Sequence, residues 1–328
     1  MTAVMTIGRR SLAAMQSRMA RVLFAAVAVG LAVWAVASRW DQVVDALGRM
    51  QGRWLVAAAV ATVGNLVLTG LAWRALLADL GSRLPFGPAA RIFFVGQIGK
   101  YVPGSLWPVV VQAELGRDHG VARRRSAAAT IMLLLLSAFS ALVVVMAGLP
   151  FAPGVADSGF EWTLVLVLPL LVVLHPRVLG RLFDRALRLV GRPPLGEWTT
   201  LRGTAVALAW ALGSWVCAGS QVYCLAAAMG APRSWRTLAL AVGGYALAWV
   251  VGLLVVVAPA GAGAREVALA ALLSPVLDPG AIVVVVLLSR LLFTVADLSL
   301  AAAGLTVGRT PSTPVVVRPG VNDTEAPR

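Results

Sequence analysis

Ile92-Phe-Phe-Val-Gly96-Gln97-Ile-Gly99-Lys100-Tyr101-Val-Pro103-Gly104-Ser-Leu-Trp107-Pro108-Val-Val-Val111 is apolar enough for a bilayer interior, yet it is not a plain membrane helix. Its glycines and prolines interrupt helical pairing, and it holds the chain's only lysine. Broken backbone at membrane depth exposes N–H and C=O groups that only protein or a water-filled cavity can satisfy. A cation there is costly and implies a partner or a cavity. The segment is therefore expected to enter and leave on one side, as a re-entrant hairpin.

The rest of the chain supplies the membrane context. Of 328 residues, 59% are apolar and only 13% charged, about half the charged share of a soluble domain. Mean hydropathy is +0.86. These values exclude a disordered chain, a disulfide scaffold and almost any soluble enzyme. They lead to an all-α polytopic integral membrane bundle of about six or seven spans plus two re-entrant or broken helices. Expected spans run from Val22 to Ser38, Trp54 to Leu77, Ser126 to Leu149, Trp162 to Leu174, Thr204 to Met229, Leu238 to Ala258 and Ala281 to Val307. Asn65 lies inside the second of these and needs a partner. Residues 1–21 read as a cytoplasmic N-terminal segment, 22–307 as the transmembrane domain and 308–328 as a disordered tail.

The net charge is +14. In short membrane loops such an excess sets orientation and does not imply nucleic acid. Basic residues gather in the N-terminal segment, at 113–125 and at 176–203, whereas 150–161 carries only Asp157 and Glu161. The N-terminus and both basic loops are thus expected in the cytoplasm of a cell-membrane protein. In the longer loop Arg177, Arg181, Arg185, Arg188 and Arg192 recur every three or four residues. That connector is either an amphipathic helix lying on lipid phosphates or a solvated linker helix.

A second interrupted stretch reads Pro259-Ala-Gly261-Ala-Gly263-Ala-Arg265-Glu266. Like the first, it has Pro and Gly at membrane depth beside charges. One such segment per half suggests a weak internal repeat and a transporter-type midplane site. Kinked helices are the plainer alternative, because Gly and Pro are frequent in membrane helices. Glu114 and Arg117 are spaced to pair on one helix face. Arg290 and Asp297 lie two turns apart on one face of the last span, about 10 Å, too far to pair with each other. Arg290 is expected to meet Glu266, and Asp297 either Arg265 or Lys100. Cys217 and Cys224 are too far apart on a helix to bridge, and His119 and His175 are isolated. No metal site or cofactor is expected. Metalloprotease, nucleophile-elbow and Walker motifs are absent, so no enzyme is expected.

Leu71-Ala-Trp-Arg74 through Gly81, then Phe93 to Pro108, resembles the flippase-like transmembrane domain of the lysylphosphatidylglycerol synthase family. Pro259-x-Gly-x-Gly-x-Arg265-Glu266 resembles that family's second Gly-rich signature, with Ala260, Ala262 and Ala264 replacing bulkier residues. Ser289 to Asp297 resembles its final helix. The resemblance implies movement or binding of a phospholipid, including an aminoacylated one, between leaflets. Only residues 308–328 follow the last span, so synthase activity is expected to be absent. The membrane lipids' headgroups are the implied partners. Their cavity would be formed by Lys100, Tyr101, Pro103, Gly104, Glu114, Arg117, Pro259, Gly261, Gly263, Arg265, Glu266, Arg290 and Asp297. A secondary transporter of a small polar solute, or a non-transporting module of an envelope enzyme system, are the alternatives.

Overall fold

A computed structural model describes residues 41, 44, 48, 50–101, 107–153, 175–189, 199–255 and 263–307. The expected N-terminal segment, the spans at 22–38 and 162–174, and the tail 308–328 lie outside the described residues. So do four candidate site residues, Pro103, Gly104, Pro259 and Gly261.

Among the described residues all regular structure is helical. The helices are α1 (Gly52–Asp79), α2 (Phe86–Gln97), α3 (Trp107–Arg117), α4 (Arg123–Gly148), α5 (Pro176–Leu189), α6 (Leu201–Ala228), α7 (Trp235–Leu254), α8 (Ala264–Leu273) and α9 (Pro279–Val307). Five of them, α1, α4, α6, α7 and α9, are long and apolar enough to cross a membrane. The 28 residues of α1 rise about 42 Å, more than the ~30 Å hydrocarbon core. By contrast α2, α3 and α8 have 12, 11 and 10 residues. Each rises only about 15–18 Å, so none crosses alone. The expected all-α membrane bundle is thus the observed one, with interrupted helices at both breaker segments.

The frame is the antiparallel pair α1–α6. Asn65 Nδ2 donates to the Ser214 carbonyl at 2.8 Å, which supplies its missing partner. At one end of the pair, Thr200 N–H and Oγ1 donate to Asp79 at 2.5 and 2.9 Å. A carboxylate at a helix C-terminus is unfavourable. Here it is offset, because Thr200 is also the N-cap of α6 and accepts from Gly203 N–H at 3.0 Å. Small residues let the helices approach closely, as is usual where lipid gives no hydrophobic drive. Gly64 faces Cys217, Gly213 faces Leu68, and Gly219 lies against the backbone of Val242 on α7.

The described arms of the first breaker, α2 and α3, pack tightly against each other as a helical hairpin. A 3-10 turn, Ile98–Tyr101, ends α2. Its two arms touch through glycine: a Cβ on Gly96 would sit 2.2 Å from Gln112 Cγ, and one on Gly99 2.8 Å from Pro108 N. The pairings of 96 with 112 and 99 with 107–108 define antiparallel arms. Gln112 on α3 is fully buried, and its Oε1 accepts from Thr130 of α4.

Helix α9 packs against α1, α2, α6 and α8. Leu291, Val295 and Leu298 are each more than half exposed and recur at helical spacing, forming a lipid-facing stripe. Arg290 and Asp297 project roughly 120° around the helix from that stripe. Both breaker segments meet this inward face.

Candidate functional site

Asp297 is 3% exposed, a buried carboxylate on α9. Lys100, from the 3-10 turn of the first hairpin, places its Nζ 2.6 Å from Asp297 Oδ2. The Tyr101 hydroxyl donates to the same oxygen, also at 2.6 Å. Consecutive residues of one short turn thus converge on one carboxylate. Lys100 and Tyr101 stand at the end of the 3-10 turn that closes α2, and although successive residues of such a turn diverge by about 120°, both side chains reach the same oxygen on α9.

The second breaker supplies the other half. Gly263 has φ +87°, a conformation side-chain-bearing residues rarely adopt, and it begins α8. Glu266 reaches back and accepts from Gly263 N–H through Oε2 at 2.6 Å, capping the first turn. Its other oxygen, Oε1, lies 3.7 Å from Arg290 Nε. Arg265 donates to the Tyr245 hydroxyl. Its guanidinium carbon is 4.5 Å from the Tyr245 ring centroid and 5.6 Å from that of Phe293. Those rings are stacked 5.7 Å apart, a cation–π shelf holding Arg265.

Lys100, Arg265 and Arg290 therefore face two carboxylates, Glu266 and Asp297, leaving one positive charge in excess. The cluster is not sealed: the side chains of Lys100, Arg290 and Glu266 are 28%, 31% and 26% exposed. Between α8 and α9 lies a recess of about 20 Å³, bounded on its polar side by Arg265, Glu266, Ser289 and Arg290. That is room for about one water.

Of the candidate residues, the structure brings together Lys100, Tyr101, Gly263, Arg265, Glu266, Arg290 and Asp297. Arg290 meets Glu266 as expected, and of the two partners open to Asp297 the geometry selects Lys100. Glu114 and Arg117 need correction. Glu114 pairs at 2.8 Å with Arg123 of α4, not with Arg117, and half of its side chain is exposed. Both lie toward the far end of α3 from the hairpin tip, because the loop after α3 turns the chain back onto α4. Sequence reasoning missed Tyr245, Phe293 and Ser289. A tyrosine in mid-span was the available signal, since its hydroxyl needs a partner in the bilayer. Phe293 lies in the Ser289–Asp297 run but carries no polar group that would mark it within a span.

A family model described as the lysylphosphatidylglycerol synthase TM region matches residues 19–300. No curated protein matches the chain.

Proposed function

This chain belongs to the lysylphosphatidylglycerol synthase transmembrane-region family, and from that premise we propose that it binds a phospholipid headgroup at the charged centre and passes it between leaflets. The observation that carries this reading is the convergence of both interrupted segments on one face of α9. There Lys100–Asp297 and Arg290–Glu266 make contacts of 2.6 and 3.7 Å inside a largely apolar bundle. Charges at this depth are expensive to retain. A lipid headgroup crossing the bilayer faces the same cost, and a partly exposed charged cluster lowers it.

Short helices that stop part-way are the devices by which transporters place polar groups at depth. In this reading the hairpin and α8 move relative to α9, exposing the cluster to alternate leaflets. In this reading the site makes and breaks no covalent bond, and the protein is a lipid carrier and not an enzyme. The N-terminus and the basic α3–α4 loop are placed in the cytoplasm by the positive-inside rule.

The test is reconstitution in liposomes with fluorescent phospholipid and dithionite quenching. Wild type is expected to expose inner-leaflet lipid, and Lys100→Ala and Arg265→Ala to lose at least tenfold in rate. Equal rates in all three would refute the reading. The small size of the recess favours a second reading, transport of a small polar solute. In that case solute flux, and not lipid movement, would depend on these residues.

A further inference from the structure

The two halves of the charged centre are not equivalent. Asp297 accepts from Lys100 and Tyr101 at 2.6 Å each, so that half is fully paired and its charge is neutralised. The half formed by α8 and α9 is open. A guanidinium has five N–H donors. Among the described residues, Arg265 spends one on the Tyr245 hydroxyl and touches no carboxylate. Arg290 approaches Glu266 only at 3.7 Å, a charge contact beyond hydrogen-bond distance. The remaining Glu266 oxygen is committed to Gly263 N–H.

Among the described residues, two guanidinium forks thus border one recess with nearly all their donors unspent, against a single carboxylate. Ser289, at the same recess, donates to Gln221 Oε1 at 3.1 Å. Gln221 itself is fully buried and its Nε2 has no partner among the described residues. Donors far outnumber acceptors here, and partly desolvated guanidinium groups favour bidentate oxygen acceptors. A ligand ammonium does not sit on the Tyr245–Phe293 shelf, which Arg265 already occupies.

We propose that the recess between α8 and α9 is the seat for one phosphate-type oxyanion, gripped by Arg265 and Arg290, with Glu266 as the internal counter-ion that the ligand displaces. The oxyanion is the phosphodiester of a lipid headgroup or a free phosphate. This rests on the lipid-binding reading and narrows it: the phosphate goes to the α8–α9 side and not to Lys100. The weak 3.7 Å contact of Glu266 leaves its carboxylate free to move aside when an anion enters the recess.

The experiment measures binding to the purified full chain in neutral maltoside micelles. The probes are dioleoylphosphatidylglycerol, dioleoylglycerol, which has the same chains without phosphate, and inorganic phosphate as a competitor. Phosphatidylglycerol should bind at least tenfold tighter than the diacylglycerol. Arg290→Gln should weaken it at least tenfold and Arg290→Lys partially, while Arg123→Gln at the surface should leave it unchanged. Glu266→Gln should tighten binding several-fold, a gain that misfolding does not produce. Competition by inorganic phosphate identifies a seat for the free ion as well. Its absence, with phosphatidylglycerol still bound, identifies a lipid headgroup seat. Equal binding of the two lipids, an Arg290→Gln protein that binds like wild type, or weaker binding in Glu266→Gln would overturn the assignment. If the binding pattern holds but lipid does not move in liposomes, the seat stands and translocation falls. If lipid moves while binding ignores Arg290, the seat alone falls.

Discussion

The contact between the first hairpin and α9 gives the sharpest energetic test. Lys100 and Asp297 lie 2.6 Å apart, but their burial differs: the Lys100 side chain is 28% exposed and that of Asp297 2%. Removing one partner of a buried pair costs roughly 3–5 kcal/mol because the other charge is stranded. Lys100→Met strands the better-buried partner, leaving Asp297 with the Tyr101 hydroxyl alone. With Lys100 partly exposed, the low end applies, about 3 kcal/mol. Asp297→Asn removes the counter-charge of Lys100 instead, but the amide oxygen still accepts from the ammonium and the Lys100 side chain is the less buried of the two, so it should cost less, about 1–2 kcal/mol. The double substitution Lys100→Met with Asp297→Leu removes both charges. It should recover most of the Lys100→Met loss, falling short by about 1 kcal/mol for the orphaned Tyr101 hydroxyl. Unfolding of the four proteins by dodecyl sulfate titration in maltoside micelles measures this. An Asp297→Asn loss as large as that of Lys100→Met, or a double variant no more stable than Lys100→Met, would refute the reasoning.

Three further outcomes are expected. Gly99→Ala would put a Cβ 2.8 Å from Pro108 N and 2.9 Å from Trp107 C. Backbone cannot yield cheaply, so about 1–3 kcal/mol should be lost, whereas Gly244→Ala, 3.5 Å from Leu272, should be near neutral in the same titration. Charge reversal at Arg290 (Arg290→Glu) should abolish monodisperse expression, and Glu266→Arg in the same chain should restore part of it. The restoration is incomplete because Glu266 also caps Gly263; no recovery would remove this pair from the fold's accounts. His119, in the loop after α3, is held below the ordinary histidine value by burial first and Arg91 next, with Asp118 opposing. The folded state then binds fewer protons than the unfolded one, so this stability is full above about pH 6.5 and is lost as pH falls through the folded value. His119→Gln should flatten the midpoint's dependence on pH below 6.5, read by the same titration.

What the sequence made legible was whatever imposes a local penalty. Lys100 in an apolar run, Asn65 in mid-span and the Gly-Pro interruptions each break a rule that a bilayer enforces. Each turns out to have its compensation: Asp297, the Ser214 carbonyl, and the close arms of the hairpin. The spacing of Arg290 and Asp297 placed them on one face, because helical periodicity is also local. What was not legible was choice among distant partners. Lys100 and Arg265 were equivalent candidates for Asp297, and only the packing of α2 against α9 decides between them. Glu114 shows the converse error. Its spacing to Arg117 allowed a pair, but the turn after α3 brings Arg123 to 2.8 Å, and the tertiary contact wins. Tyr245 and Phe293 escaped notice because an aromatic residue in a span is ordinary until a cation sits on it.

That α9 receives both interrupted segments has a mechanical corollary. The polar contacts of the hairpin with it are two of 2.6 Å on one buried oxygen; those of α8 are a charge contact of 3.7 Å whose carboxylate is partly exposed and the Arg265 guanidinium over the Phe293 ring at 5.6 Å. Interaction strength falls with distance and with access to water. Any displacement that opens the charged centre should therefore begin on the α8 side, where less is broken. The hairpin would then follow only when Asp297 is offered another partner. An ordered opening of this kind leaves Lys100 paired while an anion enters beside Arg290. The bundle then never carries all three of its inward cations unpaired at once, which would be the costliest state available to it.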